Sequence, residues 1–158
     1  MRSSFSALGL SVMFILSATG QHRPNLSGTW NETSNRYRDY IEKIVHRDSD
    51  LTIETTMREK PGPPTTLQRP IASLHSGPST YVIEGAEWAG KNEKAEGWTS
   101  VYWQESSLII QSVRKEGYRV TVTREMYTLS DAGDTLTKVR RVVNMDGVTE
   151  TTTVLHRQ

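Results

Sequence analysis

Four histidines, His22, His46, His75 and His156, are the first residues that could do chemistry. None stands at the i, i+2 or i, i+4 spacing that sets two imidazoles on one face, and the chain has no cysteine, so the sequence offers no metal-ligand set. His46-Arg47-Asp48 spells the H-R-D of a kinase catalytic loop, but no Gly-rich loop or D-F-G accompanies it, and it runs out of a strand pattern into a turn. The stretch GAEWAGKN, Gly85 to Asn92, comes close to a phosphate-binding loop; Asn92 stands where the metal-binding hydroxyl belongs, and no helical apolar run follows. Asp131 and Asp134 bracket Gly133 with too few carboxylates to hold calcium and read as turn residues. No serine or threonine sits in a nucleophile elbow. No catalytic residue, metal or cofactor is expected from these patterns.

Binding chemistry is better represented. Tyr81, Trp88, Trp98, Tyr102, Trp103, Tyr118 and Tyr127 could line a cavity, but a two-residue period puts Trp98 and Tyr102 on one face and Trp103 on the other. Arg114, Lys115, Arg119, Arg124, Lys138, Arg140 and Arg141 fall on three successive strand patterns. They read either as solvated charge on an outer face or, because neighbouring strands lie only ~4.8 Å apart, as a patch for an anionic ligand or partner.

The elements that would position these residues are strands. After Ser27, Thr, Val, Ile and Tyr recur with period two in short runs punctuated by Gly, Asp, Asn or Ser, the pattern of an antiparallel all-β domain. GYRVTVTREMYTL and TLTKVRRVV flank the turn Asp131-Ala132-Gly133, and Met145-Asp146-Gly147 opens the last hairpin. In the first of these runs Tyr118, Val120, Val122 and Met126 share a face expected to be dry, while Arg119, Thr121, Thr123 and Glu125 share a wet one. GWTSVYWQ and SLIIQSVR pair around Glu105-Ser106, YIEKIVHR and LTIETTMRE around Asp48-Ser49-Asp50, and GTWNETS and TYVIEG complete the set. So many sequential hairpins in an open sheet would leave two long edges, so an antiparallel up-and-down β-barrel of about eight to ten strands is expected. Glu59 to Pro78, with five prolines, is expected to be a long loop with at most one short strand and a candidate contact for a protein partner. GAEWAGKNEKAEG reads as a second exposed connection.

Residues 1–20 read as a signal peptide: Arg2, an apolar run from Leu8 to Leu16, and the small residues Ala18-Thr19-Gly20. The run is shorter than the ~20 residues a bilayer span needs, so no integral membrane segment is expected once it is removed. Residues 21–158 then form one domain, exported to the periplasm or the medium, which must be stabilised by its core because it has no disulfides. The 19 basic residues less Arg2 balance the 18 acidic ones, which argues against a general nucleic-acid binder.

Several stretches together resemble small secreted bacterial lipocalin-like proteins of the calycin type: LSGTW behind the signal peptide, IVHRDSDLTI, TYVIEG, GWTSVYWQESSLIIQS, and MYTLSDAGDTLTKVRRVVNMDGVTETTTVLHRQ. The resemblance implies that Leu129 to Leu136, an L-S-x-x-G-x-x-L pattern, is a hairpin between late barrel strands. It also implies that the Gly-x-Trp of Gly28 and Trp30 closes the barrel base beneath an arginine, for which Arg140 and Arg141 are the candidates. The expected function is non-catalytic binding of a small apolar or amphipathic ligand inside the barrel, with Tyr102, Tyr118 and Met126 as lining residues. Two alternatives stand beside it: an interaction or inhibitor module with a filled barrel, and an isomerase-like enzyme using the cavity. A hollow or filled interior separates the first two, and an ionisable residue deep in an open cavity favours the enzyme.

Overall fold

The computed structural model describes residues 23–32, 37–60, 73–83, 85–87 and 96–158. The segment expected to be a signal peptide, most of the proline-rich connection and Trp88 lie outside the described residues. Ten strands follow one another: β1 (Gly28–Glu32), β2 (Arg38–Arg47), β3 (Asp50–Glu59), β4 (Ser73–Val82), β5 (Gly85–Glu87), β6 (Glu96–Gln104), β7 (Ser107–Glu116), β8 (Arg119–Leu129), β9 (Thr135–Asn144) and β10 (Gly147–Arg157). They form a single antiparallel sheet in the order β4-β3-β2-β1-β10-β9-β8-β7-β6-β5, curled into a nearly closed barrel. The expected all-β up-and-down barrel is the observed one. There is no helix among the described residues, and none long and apolar enough to cross a membrane.

Tight turns set the register. Two residues link β2 to β3, β6 to β7, β7 to β8 and β9 to β10, and the bends use Asp48, Glu105, Gly117 and Gly147 at positive φ. At the β8–β9 turn Gly133 has φ +75°, the conformation for which glycine carries no side-chain penalty. Its N–H donates to the Ser130 carbonyl at 2.9 Å, and the Ser130 hydroxyl donates to Asp134 Oδ1 at 2.9 Å. The Ser130 hydroxyl, with that of Thr135, lowers the Asp134 carboxyl below its usual range.

Where the sequence suggests a loop, the structure extends. β4 takes in Ser73 to Pro78, so the connection after Glu59 is shorter than the prolines imply. Pro78 is tolerated because β4 is an edge strand and carries a bulge there: Gly77 and Pro78 together face Glu54 of β3. The three-residue β5 has no strand signal of its own, and among the described residues it pairs with Thr99 to Val101 of β6. The β7–β8 turn falls at Gly117-Tyr118, which takes Tyr118 out of the strand.

The core occupies one end of the barrel. Leu26, Trp30, Ile44, Leu51, Val101, Leu108, Ile110, Tyr127, Leu136 and Leu155 form its buried cluster. Side chains alternate across each strand, so register carries these residues onto neighbouring inner rows: Leu155 opposes Leu136, Leu136 opposes Leu129, and Tyr127 opposes Leu108. Fully burying each aliphatic side chain contributes roughly 1.5–3 kcal/mol.

Toward the other end the faces exchange. Glu125, Thr123 and Thr121 continue the inward row of Tyr127, while Val120, Val122 and Met126 point outward, so the dry and wet faces of β8 are the reverse of the sequence expectation. The reason is the inner row itself. Only Tyr127 and Leu129 of that row reach the apolar base; above them the wall carries hydroxyls and charge and encloses a cup.

Candidate functional site

Trp30 seals the base. Its side chain is fully buried, its indole N–H donates to the Leu26 carbonyl at 3.0 Å, and the Arg157 guanidinium lies 4.5 Å from the ring centre. Arg157 is Trp30's register partner on β10, and its Nε–H is anchored on the Gly133 carbonyl at 2.9 Å. A side chain at Gly28 would bring a Cβ within 3.3 Å of the Trp30 Nε1, which explains the bare position two residues before the ring. Arg140 and Arg141 are not on this ring. Arg140 faces the cup, with Nε 3.5 Å from Glu125, and Arg141 faces outward, opposite Arg124.

His46 also belongs to the base. The Leu26 N–H donates to its Nδ1 at 3.4 Å, the Ser27 hydroxyl and the His46 backbone bond to one another, and the ring lies 5.8 Å from that of Trp103. The imidazole is a structural tie. Among the described residues no three His, Cys, Asp or Glu side chains gather as metal ligands.

Directly above the apolar base sits the most unusual group in the molecule. Lys138 of β9 is buried in phase with Leu136, and its ammonium lies 2.5 Å from Glu42 Oε1, 3.4 Å from Glu125 and 3.3 Å from the Tyr40 hydroxyl. The Tyr40 hydroxyl donates to the same Glu42 oxygen in a short bond. Lys138 also lies 5.1 Å from the Tyr127 ring centre and 5.9 Å from that of Tyr40. Glu42 has no solvent exposure, and its Oε2 has no hydrogen-bond partner among the described residues.

The electrostatics follow from burial and neighbours. Burial disfavours charge on Lys138, but Tyr127 and the carboxylates of Glu42 and Glu125 outweigh it and hold the ammonium above the ordinary lysine range. Burial and the Glu42 carboxylate push Tyr40 from 10.0 up to about 12. Burial, with Glu42 and Glu125, also raises Tyr127 well above its usual value. Near neutral pH the floor of the cup is therefore a fixed lysine cation held among two carboxylates and two neutral phenols.

Over this floor opens a cavity of about 560 Å³, walled by Tyr40, Ile53, Met57, Tyr81, Lys138 and hydroxyls such as Thr55 and Thr153. Glu125 and Arg140 also line a second space of about 650 Å³ nearer the rim, where Ser112, Thr121 and Thr123 continue the hydroxyl wall and Arg114 pairs with Glu116 at 2.7 Å. Of the lining residues named from the sequence, Tyr118 stands at the rim of this outer space and is largely exposed. Tyr102 and Met126 lie on the outer face: Tyr102 opposes Ile109, and Ile109 opposes Met126. The structure thus keeps these three apart from the floor.

The lysine-centred floor was within reach of sequence reasoning only in part. Lys138 shares the inward parity of Leu136, and Glu42 that of Ile44, which marks each as a charge in an apolar row. That the two meet depends on how β9, β10, β1 and β2 close. Compared with models of known protein families and with curated proteins, the chain matches none, so the functional reading rests on its own geometry.

Proposed function

We propose that the chain is an exported, lipocalin-like binding protein that takes a small amphipathic ligand into the cup without transforming it. The observation that carries this reading is the cavity of about 560 Å³ above the lysine floor, within the ~300–1,000 Å³ of small-molecule sites. Ile53, Met57 and the tyrosine rings offer apolar contact, worth roughly 25 cal/mol per Å² removed from water, while hydroxyls and the Lys138 cluster fix orientation. The polar wall favours an amphipathic ligand over a wholly apolar one, because an apolar guest would bury the cup's hydroxyls unpaired.

A lysine facing an open cavity is also the feature that favours an enzyme. The direction of its pKa weighs against that reading. A lysine used as base or nucleophile must be lowered toward neutrality, whereas Lys138 is raised. It supports electrostatic orientation more than proton transfer.

Native mass spectrometry of the protein prepared from its own host tests the proposal. A bound mass of small-molecule size, released on denaturation and rebound by wild type more tightly than by Lys138→Met, is expected. Protein that emerges bare, and that neither dodecanoate nor dodecyl maltoside binds in titration, would sink it.

A further inference from the structure

On the outer face of β6–β10 the register aligns Trp98, Val113, Val122, Val143 and Val148 in one continuous row just below the rim. Trp98, Val143 and Val148 are substantially exposed, and the two turn tips above the row present Tyr118 at 79% exposure and Met145 at 70%. Apolar side chains this exposed and this contiguous mark an interaction surface.

The next outward row toward the base changes character: Ser100, Gln111, Arg124, Arg141 and Glu150. Arg124 and Arg141 are direct cross-strand partners, an arrangement in which like charges repel. Arg124 donates to Gln104 at 2.6 Å, and its Nε is buried without a partner among the described residues. Arg141 has no ion pair among the described residues, although Glu150 stands across from it. At the rim, the Arg119 guanidinium lies 6.0 Å from the Tyr118 ring centre.

We propose that this rim docks on an anionic lipid surface, with Tyr118, Met145, Val120 and Val148 entering the interface and Arg119 and Arg141 meeting lipid phosphates. The layering matches a bilayer edge. One row of outward side chains lies two residues from the next, about 6.6–6.8 Å along a strand, and interfacial elements bury their apolar groups ~5–10 Å deep with cations at headgroup level. The charge pattern selects this occupant over a second copy of the chain, since twofold packing of the face would bring the arginine pair toward its own image. On the outer faces of β2 and β3, Asp39, Lys43, Glu54 and Arg58 interrupt Ile41 and Val45, so no continuous apolar band girdles the barrel, and the protein lies on the membrane rather than spanning it. The cup then opens toward the lipid surface.

Flotation with phosphatidylcholine vesicles, with and without phosphatidylglycerol, tests this without reference to any ligand in the cup. Wild type is expected to float only with phosphatidylglycerol and to lose about tenfold in affinity at high salt. Tyr118→Ser with Met145→Ser, and separately Arg119→Gln with Arg141→Gln, should each weaken binding by about tenfold. All four positions are exposed, so thermal unfolding should be unchanged and keeps folding out of the comparison. Brominated lipid should quench Trp98, and Trp98→Phe should remove that quenching. Absence of binding, or equal binding to both vesicle types, overturns the proposal. So does a concentration-dependent dimer in ultracentrifugation that Tyr118→Ser with Met145→Ser dissolves, which would make a second copy the occupant.

Discussion

At the base, Leu108, Tyr127, Leu136 and Leu155 turn inward while Gln104, Ser107, Thr128 and Thr137 of the same sheet face water; near the mouth, Thr99, Ser112 and Thr123 turn inward while Trp98, Val113 and Val122 face out. Alternation continues unbroken along β6 to β10, and between these rows the polarity of the two faces is traded. A barrel whose inner face were apolar throughout would fill with side chains. One whose inner face were polar throughout would lack a core. The trade lets the lower half stabilise the fold and leaves the upper half open, and the Lys138–Glu42 pair lies on the boundary between them.

The largest expected effect tests the base. Trp30→Ala should destabilise by about 3–5 kcal/mol in urea unfolding, because the vacated space is walled by residues of several strands and cannot collapse. A loss under about 1 kcal/mol would show that the base does not depend on its tryptophan. Next, at the boundary, Lys138→Met strands a buried carboxylate and should cost about 3–5 kcal/mol, whereas Lys138→Met with Glu42→Leu should recover most of that. Recovery would mean that the ion pair is dispensable for stability. A double variant as unstable as the single one would count against that view.

Alkaline titration gives a smaller and graded effect. The folded state keeps the Tyr40 phenol neutral to about 12, while the unfolded phenol ionises near 10.0. Its contribution is therefore complete below pH 10.0 and declines as pH rises to about 12. Lys138, whose ammonium is likewise held above its ordinary value, acts in the same direction. Tyr40→Phe should flatten the loss of melting temperature across this window; an unchanged profile would remove Tyr40 from the cause. Smallest of all, Thr123→Val and Thr151→Val in the cup wall should alter stability by no more than about 0.5 kcal/mol while weakening ligand capture. A large destabilisation there would erase the distinction between the halves.

Strand identity and hairpin order were legible in the sequence because turn chemistry and period two are local: Glu105-Ser106, Asp131 to Gly133 and Met145-Asp146 fall where the turns are. Face polarity was not. In β8 the outward set Val120, Val122 and Met126 is more apolar than the inward Thr121, Thr123 and Glu125, so an apolar-equals-core rule picks the wrong side. Proline content misled in a similar way at β4, because Pro78 sits at an edge bulge that composition cannot reveal. The cation over Trp30 is supplied by Arg157 at the end of β10, a pairing set by where that strand meets β1.

The pairing of β1 with β10 has a consequence for the order in which the barrel is made. Every other hydrogen-bonded neighbour in the sheet is also a neighbour in sequence, so hairpins from β2 onward can zip as they emerge. β1 gains its second flank only when β10 has been synthesised, and with it Leu155 of the buried base and Arg157 over Trp30. The tryptophan near the start of the barrel therefore waits for the last of the ten strands, and burial of the base becomes the long-range, late step of folding.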